Sequence, residues 1–104
     1  MVSAAAKQKV QTIIDENPVA VFSKSHCPHC RATKTTLSDL GAKFYVLELD
    51  QTDGGAELQD ALTEISGQRT VPNIYISQKH IGGNSDLQAK KSELPALLKA
   101  AGAA

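Results

Sequence analysis

The alternation of apolar runs with helical faces constrains the fold of this chain more than any other feature. Three runs, at residues 19–22, 44–49 and 73–77, have the length and the β-branched or aromatic content of strands, and residues 80–81 form a short fourth. Stretches with helical spacing of apolar residues give the order α-βαβ-α-ββ-α. A strand–helix–strand unit is parallel and right-handed, and two closely spaced strands form an antiparallel hairpin. The sequence therefore predicts an α/β fold, with a four-stranded mixed sheet flanked by helices on both faces.

Residues at the ends of these segments predict where the elements begin and end. The first helix ends before Pro18, because the residue preceding a proline resists the α region. Gly41 offers a C-terminal stop for the second helix. We expect the hairpin turn at Gln78-Lys79, although this pair lacks the favoured Asn-Gly chemistry, and Ser92 as the N-cap of the last helix.

Length and composition indicate one soluble domain over residues 1–104. We expect the aromatic residues Phe44 and Tyr45 in its core. Eleven basic and eleven acidic residues give a formal net charge of zero, which argues against a general nucleic-acid function. No apolar stretch approaches a membrane span, and residues 2–10 lack the apolar region of a secretory signal. We therefore expect a cytoplasmic protein, and a monomer, since nothing marks a stable oligomer interface.

The only two cysteines stand in Cys27-Pro28-His29-Cys30, between the first strand and the helix that follows. Pro28 suits the first helical position, where its missing N–H costs nothing. Cys27 then lies at the helix N-terminus, where free N–H groups and the helix dipole stabilise a thiolate. Cys30 falls one turn later on the same face, close enough to attack a mixed disulfide at Cys27. In a reducing compartment this arrangement predicts a thiol–disulfide exchange site.

Charges are segregated around the cysteine pair. No acidic residue occurs between Glu16 and Asp39, whereas Lys24, Arg31 and Lys34 fall in that interval. A segment free of acids suits a site that must hold a thiolate.

A zinc site is the main structural alternative for the same segment. His26, Cys27, His29 and Cys30 are potential ligands within five consecutive residues. Zinc sites usually draw their ligands from two separated segments, because near-consecutive side chains do not converge tetrahedrally with ease. No second cysteine pair exists, and we therefore expect no bound metal.

Several motifs in register resemble the dithiol glutaredoxin family across nearly the whole chain. They are Ser23-Lys24 before the cysteine pair, the run Gly67-Gln68-Arg69-Thr70-Val71-Pro72-Asn73, and the run Gly82-Gly83-Asn84-Ser85-Asp86. The resemblance implies a thioredoxin-like fold and glutathione-dependent reduction of glutathionylated proteins and disulfides. It also implies glutathione as co-substrate, reducing equivalents from NADPH by way of glutathione reductase, and no bound redox cofactor.

The same resemblance implies roles for the two cysteines. Cys27 would be the nucleophile that attacks a protein–glutathione mixed disulfide. Cys30 would be the resolving thiol, needed only where Cys27 is trapped on a protein.

The resemblance further implies a glutathione site. Lys24, Gln59 and Arg69 would bind the glycine carboxylate, with Lys24 also near the thiolate. Gln59 is equally consistent with a plain surface residue, and the alternative for Lys24 is an ordinary exposed lysine. The remaining residues implied are Thr70, Val71, Pro72 in a cis peptide, Gly83, Ser85 and Asp86. Val71 would pair its backbone with the cysteinyl part, and Ser85 and Asp86 would receive the γ-glutamyl end. Simple helix capping explains Ser85 and Asp86 equally well.

His29 departs from the family pattern, which usually has tyrosine there. Cys-Pro-His-Cys is instead similar to the active site of strongly oxidising periplasmic DsbA-type proteins, but the rest of the chain is too short and too similar to glutaredoxins for that class. A dipolar or protonated His29 favours the thiolate, and stabilising the reduced form makes the couple more oxidising. We therefore predict a more stable thiolate than in a His29→Tyr variant.

Three other functions remain open at this stage. A thioredoxin would be reduced by thioredoxin reductase, but the chain lacks tryptophan and the Trp-Cys-Gly-Pro-Cys pattern. An iron–sulfur cluster module would be coloured after anaerobic purification, and Pro28 argues against it. A pure interaction module would keep its function without Cys27.

Overall fold

The computed structural model describes residues 2–104 and confirms the predicted order α-βαβ-α-ββ-α, with the helical region after the hairpin divided into two helices. The elements are α1 (Ala4–Glu16), β1 (Val19–Ser23), α2 (Pro28–Asp39), β2 (Tyr45–Glu48), α3 (Gly55–Ser66), β3 (Asn73–Ile76), β4 (Lys79–Gly82), α4 (Asn84–Ala89) and α5 (Leu94–Ala100). The sheet order is β2-β1-β3-β4. β1 and β2 are parallel, whereas the β1–β3 and β3–β4 pairs are antiparallel. The predicted four-stranded mixed sheet is therefore confirmed.

The alternation of side chains along β1 divides the core into two halves. All five residues of β1 are buried, as expected for a central strand covered on both faces. Ala20 and Phe22 join one half, which includes side chains from α1 and α3. Val19 and Val21 join the other half, which includes side chains from α2, α4 and α5. The helices therefore flank both faces of the sheet, as predicted.

The hairpin turn lies one residue earlier than predicted. Ile76 pairs with Lys79, so the two loop residues are Ser77 and Gln78, with φ of 51° and 67°. Two consecutive residues with positive φ are typical of the tight turn that matches strand twist, even without Asn-Gly. The position of the turn is set by β1, because Val19 pairs with Ile76 and the Ser77 N–H donates to the Pro18 carbonyl at 2.8 Å.

Two further predictions were wrong. α5 begins at Leu94 with Glu93 as its N-cap residue, not Ser92, because tight turns precede it and the Leu94 N–H donates to Lys90 O at 3.0 Å. Tyr45 is 41% exposed because β2 is an edge strand, whereas the neighbouring Phe44 packs against the core half that includes α2.

The described helices are short. α1, the longest, has 13 residues, and no helix within residues 2–104 has the length and apolar character needed to traverse a bilayer.

Candidate active site

Cys27 is the N-cap residue of α2, at the end of the loop that leaves β1. Its Sγ accepts a hydrogen bond from the backbone N–H of Cys30 at 3.2 Å, and Pro28 begins the helix, as predicted. The same Sγ lies 3.8 Å from the carbonyl oxygen of Val71, to which a thiol can donate. Because the first N–H groups of a helix have no partner within the helix, this position stabilises a thiolate.

The two cysteines differ in accessibility. Cys27 is half-buried, whereas Cys30 is completely buried, and both are free thiols. Burial, together with the neighbouring Cys27 thiol, raises the pKa of the Cys30 thiol above its ordinary value. Cys30 therefore keeps its proton at neutral pH, and the accessible sulfur for an incoming disulfide is that of Cys27.

The loop opposite Cys27 carries a cis peptide between Val71 and Pro72, as the resemblance implied. The side-chain amide of Gln68 donates to the carbonyls of Thr70 and Pro72, each at 3.0 Å. Gln68 thereby holds the carbonyls of the residues on either side of Val71, whose own carbonyl oxygen faces the Cys27 sulfur. Gln68 was not predicted as a site residue, because nothing in a Gly-Gln-Arg run shows where the amide will be directed.

An open cleft of about 470 Å³ runs from this loop to the start of α4. The residues lining it are His29, Gln68, Thr70, Val71, Pro72, Gly83, Asn84, Ser85 and Asp86. Six of the nine residues predicted to bind glutathione are therefore brought together in one cleft, with His29 beside them. Gln68 and Asn84 are additions that the sequence analysis did not assign to the site.

The three residues predicted to bind the glycine carboxylate are outside this lining. Arg69 Nη1 pairs with Asp60 Oδ1 at 2.8 Å, and the Gln59 amide donates to the Arg69 carbonyl at 3.0 Å. Lys24 is half-buried, and its carbonyl accepts the Cys27 N–H at 3.2 Å. Within residues 2–104, the Lys24 ammonium group takes part in none of the ion pairs.

The far end of the cleft is formed by the β4–α4 junction. Asp86 Oδ2 accepts the Gly83 N–H at 2.9 Å, whereas the Ser85 side chain is exposed. Gly82 has φ of +120°, and a Cβ there would overlap the Asp86 carboxylate, so the turn requires glycine. Asn84 Oδ1 accepts from the buried Thr33 hydroxyl at 2.9 Å, which fixes this end of the cleft to α2.

Asp50 holds the loop that precedes Cys27. Its Oδ1 accepts the Ser25 N–H at 3.0 Å, and its Oδ2 accepts a short hydrogen bond from the Ser25 hydroxyl. His26 Nδ1 lies 3.5 Å from the same Oδ2. The Ser25 hydrogen bonds lower the pKa of Asp50 to about 2. This contact was not predicted, because Ser25 and Asp50 lie 25 residues apart in the sequence.

The potential zinc ligands do not converge. Across residues 2–104, no group of three or more histidine, cysteine, aspartate or glutamate side chains is arranged to hold a metal ion. His26 faces Asp50, whereas Cys30 is on the buried face of α2 and His29 lines the cleft.

Comparison with known proteins agrees with this geometry. The glutaredoxin family model matches residues 19–81. A curated glutaredoxin from Ricinus communis is 49% identical over 100 residues, covering 94% of this chain and 98% of the relative. The crystal structure of wheat glutaredoxin has a TM-score of 0.92 at 48% identity, with 98% and 97% of the two chains covered.

A third comparison concerns a ligand complex. The crystal structure of a buckwheat glutaredoxin–glutathione complex has a TM-score of 0.91 at 40% identity, and the match covers 95% of this chain and 92% of the other. The sequence matches, the shared fold and the cysteine pair at the strand-to-helix junction all agree. The chain therefore belongs to the glutaredoxin family, the glutathione-dependent thiol–disulfide oxidoreductases.

Proposed function

We propose that this protein reduces protein–glutathione mixed disulfides, and other small or protein disulfides, with glutathione as its co-substrate. The observation that carries the proposal is the accessible Cys27 sulfur, which caps α2 and faces the Val71 carbonyl beside an open cleft. A disulfide-bonded glutathione seated in that cleft would extend from the Val71 backbone toward the start of α4. The similar buckwheat protein, crystallised as a glutathione complex, supports this choice of ligand.

The first half of the reaction transfers glutathione to the enzyme. The Cys27 thiolate attacks the glutathione sulfur of the mixed disulfide, and the bond between the two substrate sulfurs breaks. The substrate protein leaves as a thiolate that takes a proton from water, while Cys27 becomes disulfide-bonded to glutathione. The helix N-terminus and the Cys30 N–H stabilise Cys27 as the attacking anion.

The second half regenerates the enzyme. A second glutathione, as thiolate, attacks the glutathione sulfur bound to Cys27, releasing oxidised glutathione and the Cys27 thiolate. Glutathione reductase would then reduce oxidised glutathione with NADPH, and no redox cofactor is bound by this chain in the proposed cycle. Each of the two steps at Cys27 exchanges one disulfide for another, and the two electrons that reduce the resulting oxidised glutathione come from NADPH.

Cys30 enters when the substrate is a disulfide between protein thiols. Attack by Cys27 then leaves the substrate protein attached to the enzyme. Cys30 loses its proton and attacks the Cys27 sulfur, the bond from Cys27 to the substrate sulfur breaks, and the substrate leaves as a thiolate that takes up a proton. Two glutathione molecules then reduce the Cys27–Cys30 disulfide and leave as oxidised glutathione. Burial raises the pKa of Cys30 in the resting enzyme and makes its sulfur inaccessible to external disulfides, so Cys30 reacts only with the neighbouring Cys27 sulfur. The reaction with glutathionylated proteins does not need Cys30.

Three other residues complete the proposal. Lys24 and His29 favour the thiolate electrostatically, and Pro28 begins the helix that stabilises it. Glutathionylated proteins and disulfides are the proposed partners, and the proposed setting is the reducing cytoplasm, where the protein acts as a monomer.

A coupled assay tests this function. Turnover of a glutathione–peptide mixed disulfide is followed as NADPH consumption through glutathione reductase, in the wild type and in Cys27→Ser and Cys30→Ser variants. We expect activity to disappear in Cys27→Ser and to persist in Cys30→Ser. A wild type that does not turn over the mixed disulfide would contradict the glutathione assignment, and full activity in Cys27→Ser would contradict the role of Cys27.

A further inference from the structure

The Arg69 side chain is engaged outside the cleft that its neighbours line. Gln68 and Thr70, on either side of it, both line the cleft, whereas the Arg69 guanidinium is paired with Asp60 on α3. Gln59, the residue before Asp60, holds the Arg69 backbone carbonyl at 3.0 Å. One turn of α3 therefore contacts both the backbone and the side chain of Arg69.

We propose that Asp60 is an internal competitor for the glycine carboxylate of glutathione, and so sets the affinity of the site for carboxylate-bearing substrates. This inference rests on the proposed function. The carboxylate of Asp60 offers Arg69 the same chemistry as the glycine carboxylate, because a guanidinium pairs with either through charge-assisted hydrogen bonds. A glycine carboxylate that binds the Arg69 guanidinium therefore competes with Asp60, whose Oδ1 already engages Nη1 at 2.8 Å.

The exposure of the pair makes such a displacement possible. The side chains of Arg69 and Asp60 are 61% and 50% exposed. Ion pairs this exposed are weak, since water and salt screen them and two side chains must be ordered. Asp60 therefore reduces the affinity of the site for glutathione without blocking it. Removing the Asp60 carboxylate should lower KM for the glutathione mixed disulfide about two- to fivefold.

The competition is selective for the substrate's charge. A substrate that lacks a carboxylate at the Arg69 end gains nothing when Asp60 releases the guanidinium. Asp60 should therefore affect glutathione mixed disulfides but not the same disulfides made with a glutathione whose glycine carboxylate is esterified. This difference separates competition from a general loosening of α3, which would affect both substrates.

Asp60→Asn tests the proposal, because it removes the charge and keeps the side-chain shape. Glu64→Gln is the matched control on the same helix: Glu64 is 51% exposed and pairs with Lys7 at 2.8 Å, outside the site. Steady-state kinetics would use one peptide, disulfide-bonded either to glutathione or to glutathione glycyl ethyl ester. The kinetics with both disulfide substrates are repeated with the Arg69→Met variant as the background for Asp60→Asn.

We expect Asp60→Asn to lower KM for the glutathione disulfide about two- to fivefold, with kcat unchanged. Glu64→Gln should leave both constants unchanged, and Asp60→Asn should have no effect on the ester substrate or in the Arg69→Met background. An active wild type with an unchanged or raised KM in Asp60→Asn would overturn the inference alone, as would an equal gain on the ester. A wild type without turnover of the glutathione disulfide would overturn the proposed function itself.

Discussion

Gly82→Ala should reduce stability and substrate binding together. Gly82 has φ of +120°, which residues with a side chain rarely adopt. A Cβ at this position would overlap the carboxylate of Asp86, and that carboxylate accepts the Gly83 N–H at 2.9 Å. Alanine is therefore strained at this φ, and its Cβ also displaces Asp86 and breaks the hydrogen bond at the end of the cleft.

The two effects add to a measurable loss. The backbone strain costs about 1–3 kcal/mol, and the broken hydrogen bond, at an exposed site, costs about 1 kcal/mol. We expect Gly82→Ala to lower the free energy of unfolding by roughly 2–4 kcal/mol. Gly41→Ala is the matched control: its φ is +73°, but no atom lies within 4 Å of an added Cβ. That variant should lose only about 1–2 kcal/mol from the left-handed backbone.

Urea denaturation measures the stabilities, and the coupled NADPH assay measures KM for the mixed disulfide. Because Gly83 and Asp86 line the cleft, KM should rise in Gly82→Ala and stay unchanged in Gly41→Ala. Equal losses of stability in the two variants, or an unchanged KM in Gly82→Ala, would refute the assignment of Gly82 to the geometry of the cleft.

Four further predictions concern stability, substrate binding and the thiolate. Hydrogen bonds lower the pKa of Asp50 to about 2. The free energy of unfolding, measured by urea denaturation, should therefore be higher for wild type than for Asp50→Asn above about pH 4. This difference should be lost as the pH falls toward 2. Lys34→Met breaks a half-buried ion pair of 2.6 Å and should cost about 1–2 kcal/mol in thermal unfolding, against less than about 0.5 for the exposed Lys7→Met. Gln68→Ala should raise KM for the mixed disulfide severalfold with little change in kcat, because the cis-peptide loop loses two hydrogen bonds; equal KM values would contradict this. His29→Tyr should destabilise the active-site thiolate, which a pH titration of its absorbance detects; superimposable curves would disprove the role of His29.

The fold was largely predictable because it depends on local patterns. Strand β1 was found from its apolar run, and the start of α2 from Pro28, since both signals lie within a few residues. The wrong predictions, the hairpin turn and the N-cap of α5, occurred where longer-range pairing decides. The turn falls at Ser77 and Gln78 because β3 is aligned by β1, which lies more than fifty residues earlier in the sequence.

The candidate site was predictable to the extent that its residues lie in short motifs. Six residues predicted from the motifs around Val71 and Gly83 line one cleft in the structure. The motifs could not show that Arg69 is engaged by Asp60, or that Gln68 is directed to two carbonyls of its own loop. Long polar side chains have several possible partners, and the choice among them depends on which elements pack nearby.

The sequence by itself determined the order of the elements and the position of Cys27 at a helix N-terminus, because periodicity, proline and glycine act through neighbouring residues. Its motifs, through their similarity to known proteins, also determined the family. Only the tertiary structure decided that Cys30 is buried while Cys27 faces Val71, that Asp50 holds the loop before the active site, and that Arg69 is paired with Asp60. These contacts join segments from separate elements. Burial and charge pairing arise from the packing of those elements on the sheet. Local sequence patterns do not specify which side chains from distant segments come into contact.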